Sequence, residues 1–309
     1  MRISVPVADG FLFVAAVLWG AGFVAQRIAA QEMGGMPFTF NASRFLLGAL
    51  LILPFILWRR IPFTRATIIG GTAAASAMLI ASSLQQIAME SETPGTAGFV
   101  TGTYVIWTPL LGLLWGQRVS LRVWIGTALA IAGLWFLCVH GNDRLTSGFW
   151  YLLGCAIAWA AHVHVIGWAA RRGDPLGIAL VQFSVTGVSA LIIALSIEPV
   201  SVEALSIGSG AIIFSAVFSI GIAFTLQVLA QTSAPPSHAA IILSLESVFA
   251  EFSGSIWTHE SFDPRKWVGA ILMLAGALVA TVTGLRRHIA RRPEIDTTRQ
   301  LSNRREQDS

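Results

Sequence analysis

Charged residues are scarce in this 309-residue chain: Asp, Glu, Lys and Arg together make up 12% of it. Soluble globular proteins carry roughly 25% charged residues because their surface faces water. Hydrophobic residues supply 55% of the chain, and its mean hydropathy is +0.70. A surface that is mostly hydrated is therefore excluded, and the sequence predicts an integral membrane protein that contacts the lipid bilayer.

Metal-ligating residues are also few. The two cysteines, Cys138 and Cys155, lie in apolar stretches without CxxC spacing, which favours packing roles over a disulfide or a metal site. His162 and His164 are two residues apart, or about 200° around a helix, so one helix face cannot present both to a metal. We predict no cofactor and no metal.

Catalytic signatures are missing as well. The chain contains no GxxxxGK[ST], HExxH or GxSxG motif, so the sequence indicates neither an ATP-driven pump nor an enzyme. The formal net charge of +4 comes from Arg residues in short connections and in the last 25 residues. These residues indicate membrane topology, and no nucleic-acid partner is predicted.

Ten apolar runs approach or reach the roughly 20 residues that a membrane-spanning helix needs. The runs are continuous and lack the period-two alternation of β-barrel strands, so the predicted fold is an all-α polytopic membrane protein with ten transmembrane helices. The tail at 285–309 is basic and polar, and we expect it to be disordered. The predicted spans are 11–30, 39–58, 67–86, 95–115, 123–139, 148–170, 176–195, 208–230, 236–257 and 267–284.

The distribution of Arg predicts the orientation. With residues 1–10 in the cytoplasm, the inner connections hold most of the Arg residues and the outer ones hold most of the acids. Ten spans return the tail to the same side. We therefore expect both termini in the cytoplasm, in a multi-pass protein of the cell's inner (plasma) membrane. The inner Arg residues are Arg59, Arg60, Arg65, Arg118, Arg122, Arg171 and Arg172.

The second half of the chain repeats the first at an offset near 142 residues. Ordered matches of Pro, Trp, Gln and Gly divide the chain into one five-span unit at 11–142 and another at 143–284. An odd number of spans makes the second unit enter the membrane from the opposite side. Inverted repeats are common in secondary transporters. The matches include Gln85 with Gln227, Pro94 with Pro236, Trp115 with Trp257, and Trp19 with Trp159.

Glu246 lies deep inside the ninth predicted span. Ionisable residues at membrane depth usually face a cavity or a partner, so Glu246 is a candidate to bind a cationic group or a proton. The alternative is a structural carboxylate that accepts bonds from a neighbouring helix. Tyr104 is its repeat counterpart and gives the cavity one phenol opposite one acid, although packing also explains a tyrosine.

Matched polar and aromatic residues extend this candidate site. Gln85 and Gln227 suit a pseudo-symmetric cavity, or else they hydrogen-bond neighbouring helices. Trp19 and Trp159 lie mid-span, too deep for an interfacial aromatic belt, and either line the cavity or pack in the bundle.

Two basic side chains complete the predicted site. Arg44 lies one and a half turns into the second span and either faces the cavity or snorkels outward. His162 is a candidate hydrogen-bond partner or proton relay. Gln26 and Arg27, near the outer end of the first span, are expected to reach the interface.

Three residues of the fourth span relate to helix shape. Gly98 and Gly102 permit close helix approach, and Pro109 removes a helical hydrogen bond and is expected to kink the span. We therefore assign them to gating or helix shape.

The chain resembles the EamA-type transporters of the drug/metabolite transporter superfamily. The resemblance rests on LQ (84–85), PGTAGFVTG (94–102) and YVIWTPLL (104–111), with LQ (226–227), PSHAA (236–240) and SLESVFA (244–250) in the second half. It implies ten helices in two inverted halves, a central substrate cavity and cytoplasmic termini. Two residues depart from the family pattern: Gln117 replaces a Glu, and Ser247 replaces a Pro, which predicts a straighter ninth helix.

The expected function is therefore a secondary transporter, in the direction of export, of a small metabolite such as an amino acid. Alternating access through a central cavity is the expected mechanism, by proton coupling or by facilitated diffusion. The alternatives are a non-transporting membrane partner or sensor subunit, and a membrane-embedded lipid-modifying enzyme.

Overall fold

The computed structural model describes residues 3–138, 146–258 and 264–280. Within these ranges the chain is helical and contains no strand. The helices are α1 (Val5–Glu32), α2 (Pro37–Arg59), α3 (Arg65–Ala88), α4 (Pro94–Gly102), α5 (Tyr104–Leu114), α6 (Leu121–Cys138), α7 (Ser147–Ala169), α8 (Pro175–Ile197), α9 (Val202–Ile207), α10 (Ser209–Phe214), a π-helix (Ser215–Phe224), α11 (Thr225–Ala230), α12 (Pro236–Leu243), α13 (Glu246–Thr258) and α14 (264–280).

Local sequence explains where these helices begin. Prolines occupy the first turn of α1, α2, α4, α8 and α12, where a missing backbone N–H costs nothing. Threonine or aspartate caps several of the same ends. Thr146 accepts a hydrogen bond from the Phe149 amide, and Asp174 accepts from the amides of Leu176 and Gly177.

Eight helical stretches in the described residues are long and apolar enough to cross a membrane: Val5–Glu32, Pro37–Arg59, Arg65–Ala88, Pro94–Leu114, Ser147–Ala169, Pro175–Ile197, Ser209–Ala230 and Pro236–Trp257. A shorter apolar helix covers Leu121–Leu137. The outer surface of the bundle carries large apolar side chains such as Leu114 and Val202, which are 81% and 83% exposed. The tenth predicted span is helical over 264–280, and its end lies outside the described residues.

The fourth and ninth spans are each interrupted near their middle. Thr103 separates α4 from α5, and Ser244 and Leu245 separate α12 from α13. In both places a hydroxyl competes for a backbone carbonyl: Thr103 Oγ1 donates to Val100 O (2.6 Å), and Ser244 Oγ donates to Ile241 O (2.8 Å). Such back-bonding weakens the regular helical pattern.

These interruptions correct two expectations. The fourth span is interrupted at Thr103 and not at Pro109, which lies inside a continuous α5. The ninth span is not straighter, because the break at Ser244 precedes Ser247 and does not need a proline. Ser247 instead donates a hydrogen bond to the Gly98 carbonyl (2.5 Å) and joins α13 to α4.

The helices of the two halves interleave. α3 packs on α7 and α8, while the π-helix and α11 pack on α1, and the π-helix also packs on α2. α2 packs on α8, and α4 packs on α13. Gly98 permits the last contact, since a Cβ there would lie 2.7 Å from the Ala250 Cβ. Helices from both halves therefore surround the centre of the bundle.

Candidate functional site

A cavity of about 550 Å³, mouth included, lies at this centre. Binding sites for small molecules typically enclose roughly 300–1,000 Å³. The cavity contains seven of the eight predicted binding residues. Its lining is Trp19, Phe23, Gln26, Arg44, Phe45, Gln85, Tyr104, Trp159, Val163, Ser219, Phe224, Gln227, Leu243 and Glu246.

One wall of the cavity is a saturated hydrogen-bond network around Gln85. Trp159 Nε1 donates to Gln85 Oε1 (2.9 Å), and the Cys155 thiol lies 3.6 Å from the same oxygen. Gln85 Nε2 donates to Gln26 Oε1 (2.8 Å), and the Gln26 amide reaches the Gly22 carbonyl (3.4 Å). This wall is held in a fixed geometry.

The opposite wall contains the repeat counterparts and is not saturated. Trp19 Nε1 donates to the backbone carbonyl of Ser219 (3.1 Å), in the π-helix, rather than to Gln227. Gln227 Oε1 and Ser219 Oγ are buried and have no hydrogen-bond partner among the described residues. Buried polar atoms without partners are costly, so these two are candidate contacts for a polar ligand.

Arg44 presents a buried positive charge to the cavity. Its side chain is 4% exposed, and Nε donates to Asn41 Oδ1 (3.0 Å). The guanidinium lies over the rings of Phe40 (4.9 Å) and Phe45 (5.2 Å), and it forms no ion pair with any described residue. A cation in this setting can attract an anionic ligand group.

Glu246 and Tyr104 form the acidic part of the cavity. Glu246 is 5% exposed, is the first residue of α13, and has no cationic partner among the described residues. Tyr104 is the first residue of α5, and its hydroxyl lies near the Glu246 carboxyl. That hydroxyl makes no hydrogen bond of normal geometry within the described chain. The carboxyl group can therefore accept bonds from a ligand.

Phe224 lies at the centre of the aromatic lining. Its ring centroid is 4.5 Å from that of Trp19 and 5.5 Å from that of Trp159, with the latter pair stacked at 29°. The ring edges of His162, Phe183 and Phe45 surround it at about 6 Å. Phe224 thus separates the two tryptophans that the repeat makes equivalent.

Polar contacts join the helices at both ends of the bundle. At the end where α12 begins, His238 Nε2 contacts Asp9 Oδ1 (2.7 Å) and His238 Nδ1 contacts the Ala280 carbonyl (3.2 Å). Both nitrogens face acceptors, so both bonds form fully when the ring carries two protons. At the other end, Lys266 Nζ pairs with Glu251 Oε1 (2.5 Å).

Comparison with known proteins accounts for this arrangement. The model of the EamA-like transporter family matches residues 7–139 and 146–282. The chain belongs to that family.

Several relatives have transporter names. An uncharacterised transporter of Archaeoglobus fulgidus is 29% identical over 278 residues, which cover 89% of this chain and 86% of the relative. The uncharacterised inner membrane transporter YedA of Escherichia coli is 25% identical over 284 residues, covering 88% and 90%. The threonine/homoserine exporter RhtA of E. coli is 26% identical over 172 residues, covering 52% and 54%.

A solved crystal structure has the same fold. It superposes with a TM-score of 0.71 at 18% identity and covers 93% of this chain and 99% of the other. Together with the apolar helices, the relatives identify a multi-pass membrane protein of a transporter family.

His162 does not line the cavity of this EamA-like protein, contrary to our expectation. It is fully buried one layer behind, with Nε2 3.0 Å from Gln182 Oε1 and its ring edge against Trp159. His164 contacts the Thr108 carbonyl (2.7 Å), and its other nitrogen faces the amide of Gln117 (3.4 Å). Neither histidine touches Glu246.

Three lining residues escaped the sequence analysis. Gln26 was assigned to the interface with Arg27, which instead donates to the Met89 carbonyl. Yet Gln26 lies seven residues after Trp19, on the same helix face. Ser219 and Phe224 were missed because a π-helix changes the facing of side chains, although Phe224 precedes Gln227 by three residues.

Proposed function

We propose that this protein is a secondary transporter that exports a small zwitterionic metabolite, such as an amino acid, by alternating access. The observation that carries the proposal is one cavity with two unpaired ionisable side chains, Arg44 and Glu246. The two do not pair with each other, so both are free to bind a ligand.

A zwitterion fits this pattern better than a simple ion does. Burying a charge is costly unless an opposite charge or hydrogen bonds compensate it. A carboxylate at Arg44 and an ammonium group at Glu246 would compensate both at once. The unpaired oxygens of Gln227 and Ser219 can accept further bonds from an ammonium or hydroxyl group.

Alternating access is supported by the matched halves. The family model matches the chain twice, over 7–139 and 146–282. The packing of α3 on α7 has its counterpart in the packing of the π-helix and α11 on α1, and the two interruptions lie 142 residues apart, at Thr103 and Leu245. Two inverted five-helix halves could exchange conformations and open the cavity to each side in turn.

The relatives support the cargo class and the location. RhtA is named a threonine/homoserine exporter, and YedA an inner membrane transporter. We extend both to this chain, with cytoplasmic termini as the Arg distribution predicts. Reporter fusions at each terminus would test that orientation, and a terminus on the outer side would refute it.

Counterflow in proteoliposomes tests the function. Vesicles loaded with unlabelled threonine are expected to accumulate radiolabelled threonine. Glu246→Gln and Arg44→Gln should each weaken apparent affinity by about 10- to 100-fold, the value of one hydrogen bond to a charged group. Glu203→Gln and Arg59→Gln, on exposed side chains, are the matched controls. Wild-type rates in folded Glu246→Gln and Arg44→Gln would refute the proposed site.

Coupling to protons is tested in the same vesicles. Glu246 is the buried acid that can exchange a proton with the cargo. An imposed pH gradient should drive net uptake if coupling exists. Uptake that ignores the gradient would establish facilitated diffusion instead.

The same preparation decides against the other classes. Cargo movement by the purified chain alone would exclude a sensor subunit that needs a partner for transport. No cluster of three or more His, Cys, Asp or Glu side chains suited to a metal occurs in the described residues, so nothing there supports a metal-dependent lipid-modifying enzyme.

A further inference from the structure

The Phe224 ring occupies a slot between two tryptophans that the repeat relates. It lies against Trp19 on one side and stacks on Trp159 on the other. It is also part of the cavity lining, 6% exposed, so no other side chain separates it from the binding space.

The slot is filled from one half of the protein only. At the offset of 142 residues, the counterpart of Phe224 is Ser82, whose hydroxyl bonds its own helix at the Leu79 carbonyl (3.4 Å). Ser82 does not line the cavity. Two equivalent tryptophans thus enclose a ring that has no equivalent, which symmetric packing of the bundle does not require.

The surroundings of Phe224 differ from an ordinary apolar core. Gln227 lies one turn further along the chain, and its Oε1 is unpaired; Ser219, five residues earlier, has an unpaired hydroxyl. Unsatisfied polar atoms beside an aromatic slot are the surroundings that a ligand with a polar head and an apolar side chain needs.

We propose that Phe224 determines specificity by limiting the size of the apolar part of the cargo. This proposal rests on the proposed function. The ring fills the position where the side chain of a large zwitterion would stack between Trp19 and Trp159. Cargo with a short side chain fits beside the ring, and cargo with an indole or phenyl group collides with it.

Indole binding tests the slot without any transport. Phe224→Ala leaves an apolar space bounded by Trp19 and Trp159, and apolar cavities of roughly 150 Å³ bind aromatic molecules such as benzene. Indole should therefore raise the unfolding temperature of detergent-purified Phe224→Ala in a saturable way and leave wild type unchanged. Phe218→Ala, on an exposed side chain of the same π-helix, is the control.

Counterflow tests the specificity. The ratio of tryptophan to threonine accumulation should rise about tenfold in Phe224→Ala, a typical effect of pocket size on discrimination. The Phe218→Ala ratio should equal that of wild type. Phe224→Leu, which keeps an apolar core, should change the ratio in the same direction and serves if the alanine variant is not monodisperse.

The outcomes separate the two proposals. Equal stabilisation of wild type and Phe224→Ala by indole, or none in a folded Phe224→Ala, would overturn the slot. An unchanged ratio in variants that transport threonine would overturn the role in specificity. Indole binding confined to Phe224→Ala, in a protein that moves no amino acid, would support the slot and refute the cargo class.

Discussion

A methyl group added at Gly20 tests how closely α1 must approach α13 beside the cavity. A Cβ at this position would lie 2.8 Å from the Ala250 nitrogen and 2.8 Å from the Glu246 carbonyl oxygen. Both are backbone atoms of α13, which cannot rotate away as a side chain can. Gly20→Ala must therefore push α1 and α13 apart.

The magnitude follows from two opposing effects. Overpacking a tight contact costs about 1–3 kcal/mol. Replacing glycine by alanine inside a helix returns about 0.5–1 kcal/mol. The backbone contacts at Gly20 place the cost at the upper end, so we expect Gly20→Ala to lose about 2 kcal/mol of stability.

Gly10→Ala is the matched control, because no atom lies within 4 Å of a Cβ at Gly10 on the same helix. It should gain about 0.5–1 kcal/mol. Denaturant unfolding of the purified variants measures both. Threonine counterflow should fall only in Gly20→Ala, since α1 carries Trp19 and α13 carries Glu246. Equal unfolding midpoints for the two variants would refute the close contact.

Other side chains give sharper local tests. Asp9→Asn should cost about 1–3 kcal/mol in denaturant unfolding, because His238 loses its charged acceptor; an unchanged midpoint would argue against the pair. Trp159→Phe should cost about 1 kcal/mol and lower cargo affinity, since Gln85 Oε1 loses its indole donor; isothermal titration with threonine checks the affinity. Asp174→Ala should cost about 0.5–2 kcal/mol by removing the α8 N-cap, with threonine counterflow unaffected.

The sequence predicted the helical fold and most of the cavity lining for a physical reason. Apolar runs of membrane length are strong signals, and matched positions in a duplicated sequence tend to meet at its pseudo-symmetry axis. That reasoning placed Trp19 with Trp159 and Gln85 with Gln227. Tyr104 and Glu246 likewise follow matched interruptions of their spans.

The remaining details depend on tertiary contacts. His162 and Trp159 are three residues apart on α7, so spacing alone could not tell which of them faces the cavity and which faces Gln182. The break at Thr103 depends on one hydroxyl bond to a carbonyl, a weaker sequence signal than Pro109. Phe224 turns inward in a π-helix, which sequence periodicity does not reveal.

His238 links three distant parts of the chain through a single imidazole. The ring belongs to α12 and contacts Asp9 on α1 and the Ala280 carbonyl at the end of α14. Departure of Asp9 would leave a ring proton without its anion and so weaken the ring's other bond as well. Separation at this end should therefore be concerted, with the three segments parting together, and single-molecule distance records across it should show two discrete levels with no gradual drift.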